Sequence, residues 1–289
     1  NALTGGGGEL THEIHAQLAE IENECKLAIG VGSQMSAVKD RSQEDTYKII
    51  RKKHPNGIVF ANLGSEATLD QAKYAIDMIE ANALQIHLNV VQELVMPEGD
   101  RDFSQALNNI EEITANIDIP LIIKEVGYGM SKETVKKLSE VGVTIVDVSG
   151  FGGTNFSAIE NLRRTRALSF LNNWGIPTAC SIAEVTQSIP TVEVIASGGI
   201  QTGLDVAKAI SLGASACGLA GHILNILINH GEQKLFEEIN FIHDEIKIIM
   251  TALGKPTISR LKKAPIIISG QTHHWLKERG IKTESFSQR

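Results

Sequence analysis

Val192-Glu193-Val194-Ile195-Ala196-Ser197-Gly198-Gly199 is a short β-branched run that ends in a small polar residue and two glycines. A run of that length bounded by a turn signal reads as a buried strand. Behind it, Thr202 to Leu212 has the spacing of a helix, and a second run, Ser215 to Ala220, follows. Strand, helix, strand is the crossover unit of a parallel sheet. The alternation extends toward the N-terminus. Apolar runs lie at Leu27 to Gly32, Ile58 to Leu63, Ala83 to Asn89, Leu121 to Val126 and Thr144 to Gly150, and Asn1 to Thr4 reads as the end of one more. Helices are predicted near Leu10 to Cys25, with Thr11 as a candidate N-cap, and near Asp45 to Lys53, Thr68 to Glu80, Phe103 to Ala115, Lys132 to Val141, Ala183 to Ser188 and Gln233 to Leu253. Eight such units predict an α/β fold, a (β/α)8 TIM barrel whose first strand is truncated, with residues missing upstream. An open doubly wound sheet is the structural alternative. No linker divides the chain, so residues 1–289 are expected as a single domain with a short tail, 254–289, packed on the barrel.

Composition narrows the class. The chain is 42% hydrophobic and 21% charged, with 26 Gly against 7 Pro, which suits a globular fold with many strand-to-loop turns. A net charge of −7 leaves no overall field for nucleic acid or an anionic membrane. Cys25, Cys180 and Cys217 lack metal-ligand spacing and cannot all pair, which favours a reducing compartment. No apolar run approaches the ~18 residues of a membrane span.

In a barrel, chemistry sits at the C-terminal ends of the strands. Here those ends are polar or glycine-rich in register: Thr4-Gly5-Gly6-Gly7-Gly8, Gly32-Ser33-Gln34-Met35, Asn62-Leu63-Gly64-Ser65, His87-Leu88-Asn89, Lys124-Glu125, Ser149 to Thr154, Ser197-Gly198-Gly199 and Ala220-Gly221-His222. Gln85, His87 and Asn89 alternate, which places them on one strand face; His87 alone reads equally as a satisfied core histidine. Lys124 interrupts an apolar strand and must find a partner. Adjacent strand residues face opposite ways, so a ligand, either an anion or an electron-rich ring, is favoured over an ion pair with Glu125. Gly198-Gly199 and Ala220-Gly221, after consecutive strands, suit a phosphate site built from backbone N–H groups, against plain turns as the bland alternative. Thr154 adds a hydroxyl donor. Glu93, beside Gln92, is placed to hold Mg²⁺ near a diphosphate, although a solvated acidic loop containing Glu98 and Asp100 fits the spacing equally. Arg163, Arg164 and Arg166 read as a solvated or inter-subunit face, with anion binding the minority reading.

Several of these motifs together resemble one family. Thr4-Gly5-Gly6, Val31-Gly32-Ser33-Gln34-Met35, Ala61-Asn62-Leu63-Gly64, Gln85-Ile86-His87-Leu88-Asn89, Gln92-Glu93, Ile123-Lys124-Glu125-Val126-Gly127, Gly150-Phe151-Gly152-Gly153-Thr154, Ser197-Gly198-Gly199-Ile200 and His273-His274-Trp275-Leu276 are similar to motifs of the type 2 isopentenyl-diphosphate isomerases. The resemblance covers essentially the whole chain. It implies an FMN-binding (β/α)8 barrel that interconverts isopentenyl diphosphate and dimethylallyl diphosphate. Reduced FMN would act as acid–base catalyst, NADPH as reductant, and Mg²⁺ would hold the diphosphate. It further implies a cytoplasmic homotetramer or homo-octamer.

By motif, the resemblance gives Ala2, Leu3, Thr4, Ser33, Asn62, Lys124, Ser149 and Thr154 to the flavin, and Gly198, Gly199, Ile200, Ala220 and Gly221 to its phosphate end. Ser33, Gln34, Met35 and Gln92 would meet the substrate. His87 and Asn89 would act with Gln92 at the reacting alkene, and Glu93 would bind Mg²⁺. Family members also carry an N-terminal segment, with an Arg-Lys pair for the diphosphate, that has no counterpart in these residues. Leu3 stands where members often have Met. Other flavin barrels fit less well. A 2-hydroxy-acid oxidase needs a histidine base and an arginine, which Ser197 to Gly203 lacks. An inosinate-type dehydrogenase needs a cysteine nucleophile, which Ser149 to Thr154 lacks. A non-catalytic flavin-binding protein would have little reason to keep Gln85, His87, Asn89, Gln92 and Glu93 together.

Overall fold

The computed structural model describes residues 5–289. The expected strand end at Asn1 to Thr4, and with it Ala2, Leu3 and Thr4, lies outside the described residues. Every other expected strand is present: β1 Ile29–Gly30, β2 Val59–Gly64, β3 Ala83–Leu88, β4 Leu121–Glu125, β5 Ile145–Asp147, β6 Glu193–Ala196 and β7 Ala216–Cys217. The chain forms two compact units. One takes the chain up to Leu88, Phe103–Ile123 and Ala220–Asn240; the other takes Asn89–Asp102, Lys124–Leu219 and Phe241–Arg289.

In the first unit β1, β2 and β3 run parallel, with Ile29 opposite Val59 and Asn62 opposite Gln85. In the second, β5, β6 and β7 run parallel, with Asp147 opposite Ile195 and Ala196 opposite Cys217. Parallel neighbours in chain order, joined through helices, are the repeat of a (β/α) barrel. β2 is buried on both faces, Val59, Ala61 and Leu63 being wholly covered on one and Asn62 2% exposed on the other.

Helix starts follow local chemistry. Thr68 and Thr202 each close a capping box, with Gln71 and Asp205 respectively, and Ser131 accepts from the Thr134 amide. The expectation for Thr11 fails. The helix Glu9–Cys25 begins before it, with Gly8 at the cap position, and the Thr11 hydroxyl only reaches back to the Gly7 carbonyl at 3.4 Å. Two other helices begin earlier than predicted, at Thr178 rather than Ala183 and at Gly221 rather than Gln233. The long helix Gly221–Ala252 contains Gly231 at φ 80°, a break in helical backbone that hid its first half from a periodicity argument. The tail holds three short helices, Ile258–Leu261, Gly270–Glu278 and Glu284–Ser287. It docks within the second unit on the fully buried Glu184, which accepts from Trp275 Nε1 at 2.8 Å and from Arg279 Nε at 3.1 Å.

The helix Glu9–Cys25 buries Glu22 beside Leu18 and Ile21. Among the described residues its Oε2 finds no hydrogen-bond partner. Burial pushes its carboxyl up to about 8. The folded chain therefore keeps a proton that the unfolded chain releases near the ordinary glutamate value. This group's contribution to stability is complete below that value and is lost as pH rises through about 8, at about 1.4 kcal/mol per pH unit. Thermal unfolding should show Tm falling from pH 5 to 8 and Glu22→Gln flattening that fall. An equal slope in the variant would assign the pH dependence elsewhere.

Candidate active site

In the first unit the site starts from Asn62 on β2, which register places opposite Gln85. Its Nδ2 donates to Gln85 Oε1 at 3.3 Å, so its Oδ1 is turned toward His87 Nδ1 at 2.9 Å. An amide oxygen only accepts, so His87 Nδ1 carries the proton in this hydrogen bond. Gln85 and His87 therefore share one face, as their alternation predicts. Asn89 does not join them. β3 stops at Leu88, and Asn89 occupies the N-cap position of a short helix, Val90–Val95.

Gln34 proves to be a support for the site. It is wholly buried, and its amide is spent inside the unit: Nε2 donates to the Ala75 carbonyl at 3.0 Å, and Oε1 accepts from the Asn62 amide at 3.0 Å. It thus holds Asn62 from behind. Ser33 is held through its carbonyl by the hydroxyl of Tyr47, which also meets the Gly6 amide and, at 2.9 Å, Ser36 Oγ. Tyr47 was not predicted for this role; its only signal was an aromatic on a helix face. Ala220 and Gly221 open the helix Gly221–Ala252, whose first amides are unpaired by the helix itself.

In the second unit Lys124 is 6% exposed at the end of β4. One of its protons goes to the Glu125 carbonyl at 2.7 Å. The Glu125 carboxylate turns away, accepting from the amides of Val126 at 2.8 Å and Tyr128 at 3.0 Å, so Lys124 and Glu125 form no ion pair. Burial pushes the Lys124 ammonium down from its ordinary value, and Asp147 and then Glu125 pull it back up. Burial likewise raises the Glu125 carboxyl to about 7. Asp147 is the principal residue that sequence reasoning missed. It is fully buried, and its Oδ1 accepts from Ser197 Oγ at 2.6 Å and from the Ser149 amide at 3.1 Å. Its signal was present: an aspartate within the apolar run Thr144 to Gly150 must find a partner. Ser149 itself sits at φ 31°, a strained value for a residue with a side chain.

Two glycine loops meet beside it. A Cβ at Gly198 would lie 2.1 Å from the Gly150 carbonyl oxygen, and one at Gly199 would lie 2.4 Å from that of Gly152. Gly198 and Gly199 also take φ 99° and 79°. Thr178 Oγ1 fixes the Gly198 carbonyl at 2.6 Å. Thr154 follows these turns and is exposed, while Ile200 is buried behind them.

Gln92 and Glu93 lie on the helix Val90–Val95 rather than in a loop. Glu93 Oε1 accepts from Asn89 Nδ2 at 2.7 Å and Oε2 from the Asp100 amide at 2.9 Å. The basic cluster serves the same segment: Arg163 pairs with Glu98 and Glu160, and Arg164 donates to the Val95 carbonyl at 2.7 Å. Among the described residues no three His, Cys, Asp or Glu side chains gather as a metal cage. All three cysteines are free thiols, and burial raises Cys217 to about 12. Among the described residues no helix is long and apolar enough to cross a membrane.

Comparison with known proteins places this arrangement. Residues 27–268 match the FMN-dependent dehydrogenase family, the class that a parallel (β/α) fold with glycine loops and a buried strand-end lysine defines. Crystal structures of a mandelate oxidase (TM-score 0.60, 16% identity, 86% of this chain and 72% of that one) and of a putative lactate oxidase from Pediococcus acidilactici (TM-score 0.64, 15% identity, 89% and 72%) share the fold. The fold is thus the TIM-type barrel of those enzymes, and the doubly wound alternative falls away. Over its whole length the chain is 56% identical to an isopentenyl-diphosphate delta-isomerase of a Geobacillus species and 57% identical to one of Bacillus cytotoxicus, covering 83% of each. The chain belongs to the isopentenyl-diphosphate delta-isomerase family.

Proposed function

We propose that the 289 residues work as one FMN-binding domain that interconverts isopentenyl diphosphate and dimethylallyl diphosphate, with Mg²⁺ and with NADPH reducing the flavin. The observation that carries this reading is Lys124, a buried cation at a strand end whose neighbour Glu125 turns its carboxylate to backbone amides. Such a cation suits the electron-rich edge of a reduced flavin. Reduced FMN, when bound, supplies the acid–base chemistry that an unactivated alkene demands. Ser33, Asn62, Ser149 and Thr154 would orient the ring. Gly198, Gly199 and the helix start at Ala220-Gly221 would offer backbone amides to the phosphate, since missing side chains permit close approach. Ala2, Leu3 and Thr4 keep their expected flavin contacts in this reading.

His87, Asn89 and Gln92 would line the alkene, with Ser33 and Met35 beside it and Gln34 acting through Asn62. Glu93 suits Mg²⁺, which keeps most of its waters and takes one or two carboxylates beside a phosphate. Cytoplasmic action as a homotetramer or homo-octamer completes the proposal. The test is incubation with isopentenyl diphosphate, Mg²⁺ and FMN in D₂O, with and without NADPH, under anaerobic conditions, followed by proton NMR. Dimethylallyl diphosphate carrying deuterium only with reduced flavin supports the reading; no conversion despite bound reduced FMN rejects it. Glu93→Gln should raise the Mg²⁺ requirement by roughly 100-fold with FMN affinity kept. A Mg²⁺ titration that overlays the parent would remove Glu93 as the ligand.

A further inference from the structure

The helix Val90–Val95 has six residues, too few to be rigid by propensity alone, and its last carbonyls need partners from outside. They find guanidinium groups. Arg101 Nη1 donates to the carbonyls of Glu93 at 2.6 Å and Asp100 at 2.9 Å and also meets that of Gly99, while Nη2 donates to Met96 at 2.9 Å. Arg164 takes the Val95 carbonyl. The turn gathered in this way returns the Asp100 amide to Glu93 Oε2, while Asn89 holds Oε1. Each carboxylate oxygen thus spends one acceptor site on the protein and retains a second lone pair. Gly99 permits the closure, because a Cβ there would stand 2.1 Å from the Glu93 carbonyl oxygen.

We propose that Arg101 is a positioning residue for this site, its guanidinium folding the 96–101 turn so that Glu93 presents a fixed carboxylate to a divalent cation bridging the substrate diphosphate. The inference rests on the reading of Glu93 as the Mg²⁺ ligand. Arg101 touches neither metal nor substrate; it acts through Glu93. A lysine would offer a point charge in place of a planar fork that spans several carbonyls.

The test uses the FMN-loaded protein with dimethylallyl diphosphate and Mn²⁺ as the metal probe, read by EPR. Arg101→Ala should raise the Mn²⁺ dissociation constant roughly tenfold. It should also speed amide exchange over residues 93–101, keep parental FMN affinity, and regain turnover as Mg²⁺ is raised. Gly99→Ala should move the same constant in the same direction. An Arg101→Ala titration that overlays the parent while Glu93→Gln shifts overturns the role of Arg101. If Glu93→Gln overlays as well, the reading of Glu93 fails and the inference falls with it. Loss of FMN or of the fold in both Arg101→Ala and Gly99→Ala makes the clamp merely structural and overturns the proposal.

Discussion

Lys124→Ala should lower isomerisation by about 10²–10³-fold, the usual cost of deleting one preorganised electrostatic contact to developing charge. The reason lies in the lysine's surroundings. At 6% exposure, with the Glu125 carboxylate turned to the Val126 and Tyr128 amides, the ammonium is desolvated, and the charges of Asp147 and Glu125 offset that burial only in part. A buried cation kept in that state is costly unless a ligand uses it. The variant should also bind FMN more weakly and reduce it at a lower potential, since the reduced, anionic ring loses its counter-charge. Spectral titration with FMN and a potentiometric titration of the flavin read both. Parental affinity together with a parental potential would remove Lys124 from the flavin site.

Gly198→Ala should be the most damaging single methyl in the site. Two costs coincide there. The backbone sits at φ 99°, and the added Cβ would meet the Gly150 carbonyl oxygen at 2.1 Å, a backbone atom that cannot swing aside. We expect about 2–4 kcal/mol of lost stability and loss of FMN on gel filtration. Gly254→Ala separates the two costs. It carries the same kind of backbone, φ 62°, but faces open space. It should cost only about 1 kcal/mol and keep the flavin. Equal effects at the two positions would mean that conformation rather than loop-to-loop contact sets the requirement for glycine.

Much of this was readable in the chain. Strands such as the one holding Leu121 to Ile123 announce themselves because burial on both faces demands an unbroken apolar run. The helices after Thr68, Ser131 and Thr202 were legible because a hydroxyl before an amphipathic stretch solves a local problem, the unpaired first-turn amides. Helices of five or six residues, Met35–Lys39, Val90–Val95 and Phe156–Asn161, were not, since they complete too few turns to print a period. The motif Gln85-His87-Asn89 shows the boundary within a single stretch. Alternation correctly joined Gln85 to His87, but the strand ended at Leu88, and Asn89, at the N-cap position of the next helix, turned its side chain to Glu93.

What the amino-acid sequence determined alone was the repeat, the strand ends and the residue types found there: polar groups and glycines at each C-terminal edge, and a lysine in an apolar strand. Those follow from short-range rules of period, capping and burial, and they sufficed for the fold and the family. Tertiary structure decided which of those residues face a ligand and which support another side chain. Gln34 became a buried brace for Asn62, Asp147 a hidden acceptor for Ser149 and Ser197, and the arginines near Glu98 a clamp for a turn. The Gln34–Asn62, Asp147–Ser197 and Arg163–Glu98 partnerships each join residues tens of positions apart. Which donor satisfies which buried acceptor is a matter of three-dimensional packing, and no local period encodes it.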